Sequence, residues 1–136
     1  MLGEQLQYFA KLKNLIEETY MVNNNERVTL IAHSMGAPMT LILLQNQNQE
    51  WKDKYIESFI CLGGPWGGSM KSLKAVASGD DLSYADFVNA KDLKPLLSTF
   101  TSLAFLLPSS LFWKSSEVIV QTPWRSYTFD EMKDFL

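Results

Sequence analysis

The 136-residue sequence contains one cysteine, one histidine and no Asn-x-Ser/Thr sequon. A single cysteine cannot form a disulfide within the chain, and Cys61, inside an apolar run, is interpreted as a buried thiol. Lysines and arginines form no basic run and the net charge is -3, so no nucleic-acid partner is expected. The sequence contains none of the common metal-ligand or phosphate-cradling motifs, so it predicts neither a metal site nor a cofactor.

The N-terminal segment MLGEQLQYFA has no basic flank and no apolar core of the kind that a secretory signal requires. We therefore expect either a cytosolic chain or one that lacks its natural N-terminus. Hydrophobic residues make up 46% of the chain and charged residues 20%, which is typical of a folded domain with an apolar core. The length fits one domain at most.

The first half of the sequence predicts an α/β arrangement. Residues 3–20 form an amphipathic helix whose apolar positions recur every three or four residues. Residues 28–32 and 58–62 are apolar runs without alternation, which favours parallel strands covered on both faces. A helix over residues 35–48, with Pro38 in its first turn, would complete a βαβ unit. The predicted buried stripe of the first helix consists of Leu6, Phe9, Leu12, Ile16 and Tyr20.

The second half is more mixed. A short helix is predicted over residues 69–78 and a strand over residues 117–121, and the stretch 79–95 is largely polar. Thr128 and Glu131 have the spacing of a capping box, so a helix should begin there. Because the sequence stops about two turns later, we expect a truncated chain.

Residues 95–113 carry no charge, which raises the question of a membrane span. The stretch contains six hydroxyl side chains and two prolines, whereas a helix crossing lipid needs roughly 20 mainly apolar residues. The composition therefore favours a buried or lipid-facing segment over a span.

The segment Ala32-His33-Ser34-Met35-Gly36 follows the first predicted strand and opens a helix. It is similar to the Gly-x-Ser-x-Gly turn, in which small neighbours allow a serine to stand at the end of a sheet strand. Ser34 is therefore a candidate nucleophile, and the N–H group of Met35 is a candidate oxyanion donor. The alternative is a serine that merely caps the following helix.

His33 is a poor candidate for the base. Adjacent residues at a strand end point to opposite faces, so its ring should lie away from the Ser34 hydroxyl, as a packed and hydrogen-bonded histidine. Several aspartates follow Ser34, but none follows a convincing third strand, and all are interpreted as solvated surface carboxylates. These candidates are Asp53, Asp80, Asp81, Asp86, Asp92, Asp130 and Asp134.

The segment GGPWGG, residues 63–68, directly follows the second predicted strand. Because ligands of open α/β sheets bind beyond the carboxyl ends of the strands, Pro65, Trp66 and Gly67 are candidate substrate-pocket residues. The alternative is an ordinary turn with one packing tryptophan.

Residues 28–80 resemble the lecithin–cholesterol acyltransferase family, most of all its lysosomal phospholipase A branch, which is also a ceramide acyltransferase. The serine turn is followed by WKDKYI, LGGPWGG and LKAVASGD at the family spacing, and EVIVQTP and SYTFDEMKDF extend the likeness to the end of the chain. The resemblance implies a partial α/β-hydrolase fold, with residues 1–68 in its core and residues 69–136 in its lid or cap region.

The resemblance further implies a lipid O-acyltransferase or phospholipase A that forms an acyl-enzyme at Ser34. It implies a phospholipid or other lipid substrate, peripheral membrane contact, no cofactor, and a lysosomal or secreted location. The family's aspartate and histidine would lie after residue 136, so we expect the isolated chain to be inactive. One alternative is a non-catalytic lipid-binding or interaction protein on the same scaffold, and another is a product that aggregates through an exposed half sheet.

Overall fold

The computed structural model describes residues 2–81 and 89–136. The described residues form a mixed α/β structure, which confirms the α/β class predicted from the sequence. The chain divides into two compact units, Met1–Gly64 and Pro65–Leu136.

Over residues 2–64, the first unit contains three helices and two strands. In chain order these are α1 (Leu2–Val22), β1 (Val28–His33), α2 (Gly36–Gln45), α3 (Gln49–Tyr55) and β2 (Ile56–Leu62). Strands β1 and β2 pair in parallel, with Ala32 opposite Cys61 and His33 opposite Leu62. The predicted order of strand, helix and parallel strand is therefore confirmed, with the short helix α3 as an addition, and both strands end at the same level.

Within the described residues of the first unit, only one face of this two-stranded sheet is covered. Ala32 is buried, but Ile31 is 68% exposed and Leu62 is 50% exposed. The expectation that both strands are buried on both faces is wrong here. Cys61 is also exposed rather than buried, because α1 and α2 pack on β1 and the last three residues of β2 remain open.

Helix α1 packs through part of its predicted stripe. Ile16 is buried and Phe9, Leu12 and Tyr20 are half-buried, whereas Leu6 is 66% exposed, so the prediction is wrong at that position. Trp51 of α3 donates its indole N–H to the carboxylate of Glu17 on α1, 2.7 Å away. This bond joins α1 to α3, the helix that leads into β2.

Among its described residues, the second unit has four short helices and one hairpin. They are α4 (Met70–Ser78), α5 (Ala90–Leu97), α6 (Thr101–Phe105), β3 (Val118–Gln121), β4 (Ser126–Thr128) and α7 (Met132–Phe135). The predicted helix near 69–78 and the predicted strand near 117–121 are confirmed. Residues 82–88 of the predicted polar stretch lie outside the described residues.

The predicted capping box is only partly present. The Glu131 carboxylate accepts hydrogen bonds from the backbone N–H of Thr128 at 2.9 Å and from its hydroxyl at 3.0 Å. Thr128 is the last residue of β4, however, and α7 begins only at Met132. The sequence reading missed β4, because three residues are too few to show an alternating pattern.

Helix α5, helix α6 and the connections after them contain the uncharged residues 95–113. None of the helices in residues 2–81 and 89–136 is long and apolar enough to cross a membrane. Leu97 and Pro108 are buried within this segment, whereas Leu111 is 86% exposed and Phe112 is 62% exposed. The segment therefore contains both core residues and exposed apolar side chains.

Candidate functional site

Ser34 lies in a two-residue turn between β1, which ends at His33, and α2, which begins at Gly36. Its backbone φ is +52°, in the left-handed region. For an L-residue this conformation costs roughly 1–2 kcal/mol, and strain of this kind concentrates at functional sites. The predicted strand, sharp turn and helix around Ser34 are thus present.

Two backbone hydrogen bonds hold the turn. The N–H of Ser34 donates to the carbonyl oxygen of Leu62 at 2.9 Å, which fixes the turn to the end of β2. The carbonyl oxygen of Ser34 accepts from the N–H of Ala37 at 3.0 Å. The side chain of Ser34 is exposed to solvent.

The N–H groups of Met35 and Gly36 lie at the start of α2. The carbonyl oxygen of Met35 accepts from the N–H of Met39 at 3.3 Å, while the first N–H groups of a helix have no partner within it. Such groups favour negative charge near the helix N-terminus. This geometry is compatible with the predicted oxyanion role of the Met35 N–H.

The small residues around Ser34 allow the strand and the helix to approach. Ala32 is 7% exposed and Ala37 is fully buried. A Cβ atom added to Gly36 would lie 3.9 Å from the Cβ of Ala32, which is ordinary contact. Alanine therefore fits the position that glycine holds in the more usual form of this turn.

His33 is exposed, and none of the side-chain hydrogen bonds in the described residues joins it to Ser34. The expectation of a packed histidine is wrong, because the face of β1 that carries His33 has no cover within the described residues. The structure gives no support to His33 as the base.

The glycine-rich segment begins where β2 ends. Gly63 follows Leu62 directly and has φ +60°, so it turns the chain away from the strand. Pro65, Trp66 and Gly67 belong to the second unit, where the N–H of Gly68 donates to the carbonyl oxygen of Pro65 at 3.0 Å. Trp66 is 37% exposed. The pocket role of these three residues stays a prediction.

Sequence reasoning missed the segment against which this turn packs. The indole N–H of Trp113 donates to the carbonyl oxygen of Gly67 at 2.8 Å, and the N–H of Ser109 donates to the same oxygen at 3.2 Å. These residues lie more than forty positions along the chain, and no local pattern marks them as partners.

Among the candidate acids, Asp80 differs from the expectation. Its side chain is buried, with Lys71 at 3.7 Å and Lys74 at 3.5 Å, so the interpretation as a solvated carboxylate is wrong there. Asp86 lies outside the described residues. Within the part of the chain that the structure describes, no group of three or more His, Cys, Asp or Glu side chains could hold a metal ion.

The model of one protein family, described as lecithin:cholesterol acyltransferase, matches residues 1–136. The chain belongs to the lecithin:cholesterol acyltransferase family. The resemblance drawn from the serine turn and the motifs after it is thereby confirmed.

Relatives within the lecithin:cholesterol acyltransferase family cover almost the whole chain. The human lysosomal phospholipase A and acyltransferase is 41% identical over 128 residues, which are 94% of this chain and 31% of that protein. The chicken phosphatidylcholine-sterol acyltransferase is 43% identical over 132 residues, which are 97% of this chain and 32% of that protein. The chain thus spans about a third of the length of the curated relatives it matches.

Proposed function

We propose that Ser34 is the nucleophile of a lipid acyltransferase or phospholipase A. The observation that carries this proposal is the left-handed backbone of Ser34 between a parallel strand and a helix N-terminus. An ordinary N-cap serine has an extended backbone and bonds an N–H of its helix, whereas the residue at the N-cap of α2 is Met35. The relatives' names, which specify phospholipase and acyltransferase activity, supply the substrate class.

The reaction would proceed in two steps. The Ser34 hydroxyl oxygen attacks the ester carbonyl carbon of a phospholipid, the C–O bond to the glycerol oxygen breaks, and a base moves the serine proton to that leaving oxygen. The acyl group is then transferred to water or to the hydroxyl of a lipid alcohol, and Ser34 regains its proton. The N–H of Met35 would stabilise the oxyanion in both steps.

The two halves of the chain would have different roles. Residues 1–68 would form part of an α/β-hydrolase core, and residues 69–136 would form part of its lid or cap. Pro65, Trp66 and Gly67 would contribute to the lipid pocket. The protein would act at a membrane surface, in the lysosome or outside the cell, without a cofactor.

We also propose that the isolated 136-residue chain does not turn over lipid. Its single histidine is His33, which makes no hydrogen bond to Ser34 within the described residues. Without a positioned base, a serine hydroxyl is a weak nucleophile. Missing triad members cost on the order of 10⁴-fold or more in rate in serine enzymes.

A phospholipid assay tests this proposal. Purified chain and its Ser34→Ala variant are incubated with phosphatidylcholine vesicles, and released fatty acid and lysophospholipid are quantified. We expect equal, near-background release from both proteins. Robust release that Ser34→Ala abolishes would overturn the proposed inactivity. If the chain co-sediments with the vesicles but a fluorophosphonate probe does not label Ser34, a non-catalytic lipid-binding protein is favoured instead.

A further inference from the structure

Within the second unit, two segments distant in sequence meet through one carbonyl group. We call Pro65–Gly68 the glycine loop and Ser109–Trp113 the anchor turn. The carbonyl oxygen of Gly67 accepts both the backbone N–H of Ser109 at 3.2 Å and the indole N–H of Trp113 at 2.8 Å. The backbone N–H of Ser69 donates to Leu106 at 2.7 Å, immediately beside this pair.

The glycine loop lies so close to residues 107–113 that a side chain at Gly68 would overlap their backbone and one at Gly67 would be tightly packed. A Cβ atom at Gly68 would lie 2.4 Å from the carbonyl oxygen of Leu107, and one at Gly67 would lie 3.1 Å from the Cβ of Phe112. Gly68 also has φ +88°, which L side chains rarely adopt. Gly68 is therefore required for this close approach, whereas a side chain at Gly67 would need Phe112 to shift by only a few tenths of an ångström.

Few hydrogen bonds lie within the glycine loop itself. Its one internal hydrogen bond among the described residues runs from the N–H of Gly68 to Pro65. Trp66, between them, is 37% exposed. The half-buried indole of Trp113 is the only side chain in the described residues that donates a hydrogen bond to the loop.

We propose that Trp113 is a positioning residue for Trp66 and the glycine loop. By holding the Gly67 carbonyl, it sets the direction in which Trp66 leaves the loop. The inference rests on the proposed function in one respect, namely that Trp66 contacts lipid substrate. Trp113 itself is assigned no contact with substrate.

The first test reports on the loop alone. The chain is labelled with 5-fluorotryptophan, and the Trp66 resonance is assigned by the Trp66→Phe variant. Trp113→Phe keeps an aromatic ring but removes the N–H donor, and Trp124→Phe, at a side chain 91% exposed, is the matched control. We expect Trp113→Phe to broaden or shift the Trp66 resonance at a temperature where the chain is fully folded, and Trp124→Phe to leave it unchanged.

Amide hydrogen exchange gives an independent measurement. In the unmodified chain the N–H groups of Gly68 and Ser109 should be protected, and Trp113→Phe should speed their exchange about 2- to 10-fold, the range expected for one lost hydrogen bond. The N–H of Ser34, in the other unit, should be unaffected. If Gly68 and Ser109 exchange freely in the unmodified chain, the inference is overturned even if Trp113→Phe does not fold.

The second test addresses the pocket. Dihexanoylphosphatidylcholine is titrated into the fluorinated chain, and Trp113→Phe should raise the apparent dissociation constant read at Trp66 several-fold, while Trp124→Phe should not. If lipid leaves the Trp66 resonance of the unmodified chain unchanged, the pocket assignment fails and the positioning role is decided by the first test. An unchanged Trp66 resonance in Trp113→Phe would contradict the positioning role, whether or not lipid shifts that resonance.

Discussion

Ser34 combines an exposed hydroxyl with a backbone conformation that serine does not prefer. Asn24 and Asn25, in the turn before β1, also have positive φ, but asparagine tolerates this region better than serine does. This strain at a residue with a reactive side chain is the observation on which the proposed nucleophile role of Ser34 rests.

Glycine and alanine substitutions separate these two properties. Both variants remove the hydroxyl, but only glycine relieves the left-handed backbone. We expect Ser34→Gly to be more stable than Ser34→Ala by roughly 0.5–1 kcal/mol, because the left-handed cost of ~1–2 kcal/mol exceeds the entropy cost of glycine, ~0.5–1 kcal/mol. Urea unfolding of the two variants measures the difference. A glycine variant less stable than the alanine variant would show that Ser34 is not strained.

At the scale of single residues, the sequence predicted correctly those features that depend only on neighbouring residues. The turn at Ser34 follows from a strand end, a helix start and small neighbours, all within five residues. The environments of Cys61, His33 and Asp80 were predicted wrongly, because burial depends on which distant elements cover a position. The hydrogen bond between Trp113 and Gly67 could not be predicted for the same reason.

At the scale of elements, the backbone of the glycine loop lies unusually close to the backbone of Leu107, and Gly63, just before the loop, offers a comparison. Gly63 and Gly68 both have positive φ, but a Cβ at Gly63 would meet nothing within 4 Å. Alanine at Gly63 would therefore meet backbone strain alone, whereas alanine at Gly68 would meet backbone strain and a steric conflict.

Alanine at each glycine tests this distinction. Gly63→Ala should lower the free energy of unfolding by about 1–2 kcal/mol, the cost of a left-handed backbone at a residue with no steric conflict. Gly68→Ala should cost at least ~1–2 kcal/mol more, because the added methyl group must displace Leu107 backbone. Equal effects in chemical unfolding would contradict the close approach.

The junction of β4 and α7 gives a pH-dependent element. The backbone N–H of Thr128, the Arg125 guanidinium and the Thr128 hydroxyl all lower the pKa of Glu131 below its ordinary value of 4.5. The ionised form is therefore favoured in the folded state. Its contribution is complete above the ordinary pKa and is lost as pH falls through the lower folded value.

Melting temperatures across pH test this assignment. Wild type should melt above Glu131→Gln near pH 7, and the gap should close as pH falls below the ordinary glutamate pKa of 4.5. The gap should be small, since the ion pair with Arg125 is at the surface. Arg125→Leu leaves both hydrogen bonds between Thr128 and Glu131 in place. It should therefore lower the melting temperature at pH 7 by less than Glu131→Gln does. If the difference in melting temperature between wild type and Glu131→Gln grew toward acid pH, ionised Glu131 would not stabilise the fold.

At the scale of the whole molecule, the sheet of the first unit exposes an apolar face. Ile31 is 68% exposed and Ile60 is 45% exposed, on strands with no further partner strand in the described residues. Exposed apolar strands promote association between chains.

Reducing this exposure should reduce self-association. Ile31→Thr keeps a β-branched residue in the strand while removing apolar surface, so we expect a smaller weight-average mass in sedimentation velocity with little change in circular dichroism. Val22→Thr, at a residue 79% exposed near the end of α1, is the control and should leave association unchanged. If both variants associate as wild type does, the sheet face is not the contact.

Under the proposed function, Ser34 is the nucleophile and the isolated 136-residue chain has no positioned base. Supplying imidazole in solution tests both statements at once, because a free base can partly replace a missing one. The chain is incubated with p-nitrophenyl butyrate with and without imidazole, and butyryl groups are mapped by tandem mass spectrometry. We predict an acyl group at Ser34 only with imidazole, and none in Ser34→Ala. Acylation at other residues alone, or fast Ser34-dependent turnover without imidazole, would contradict the account.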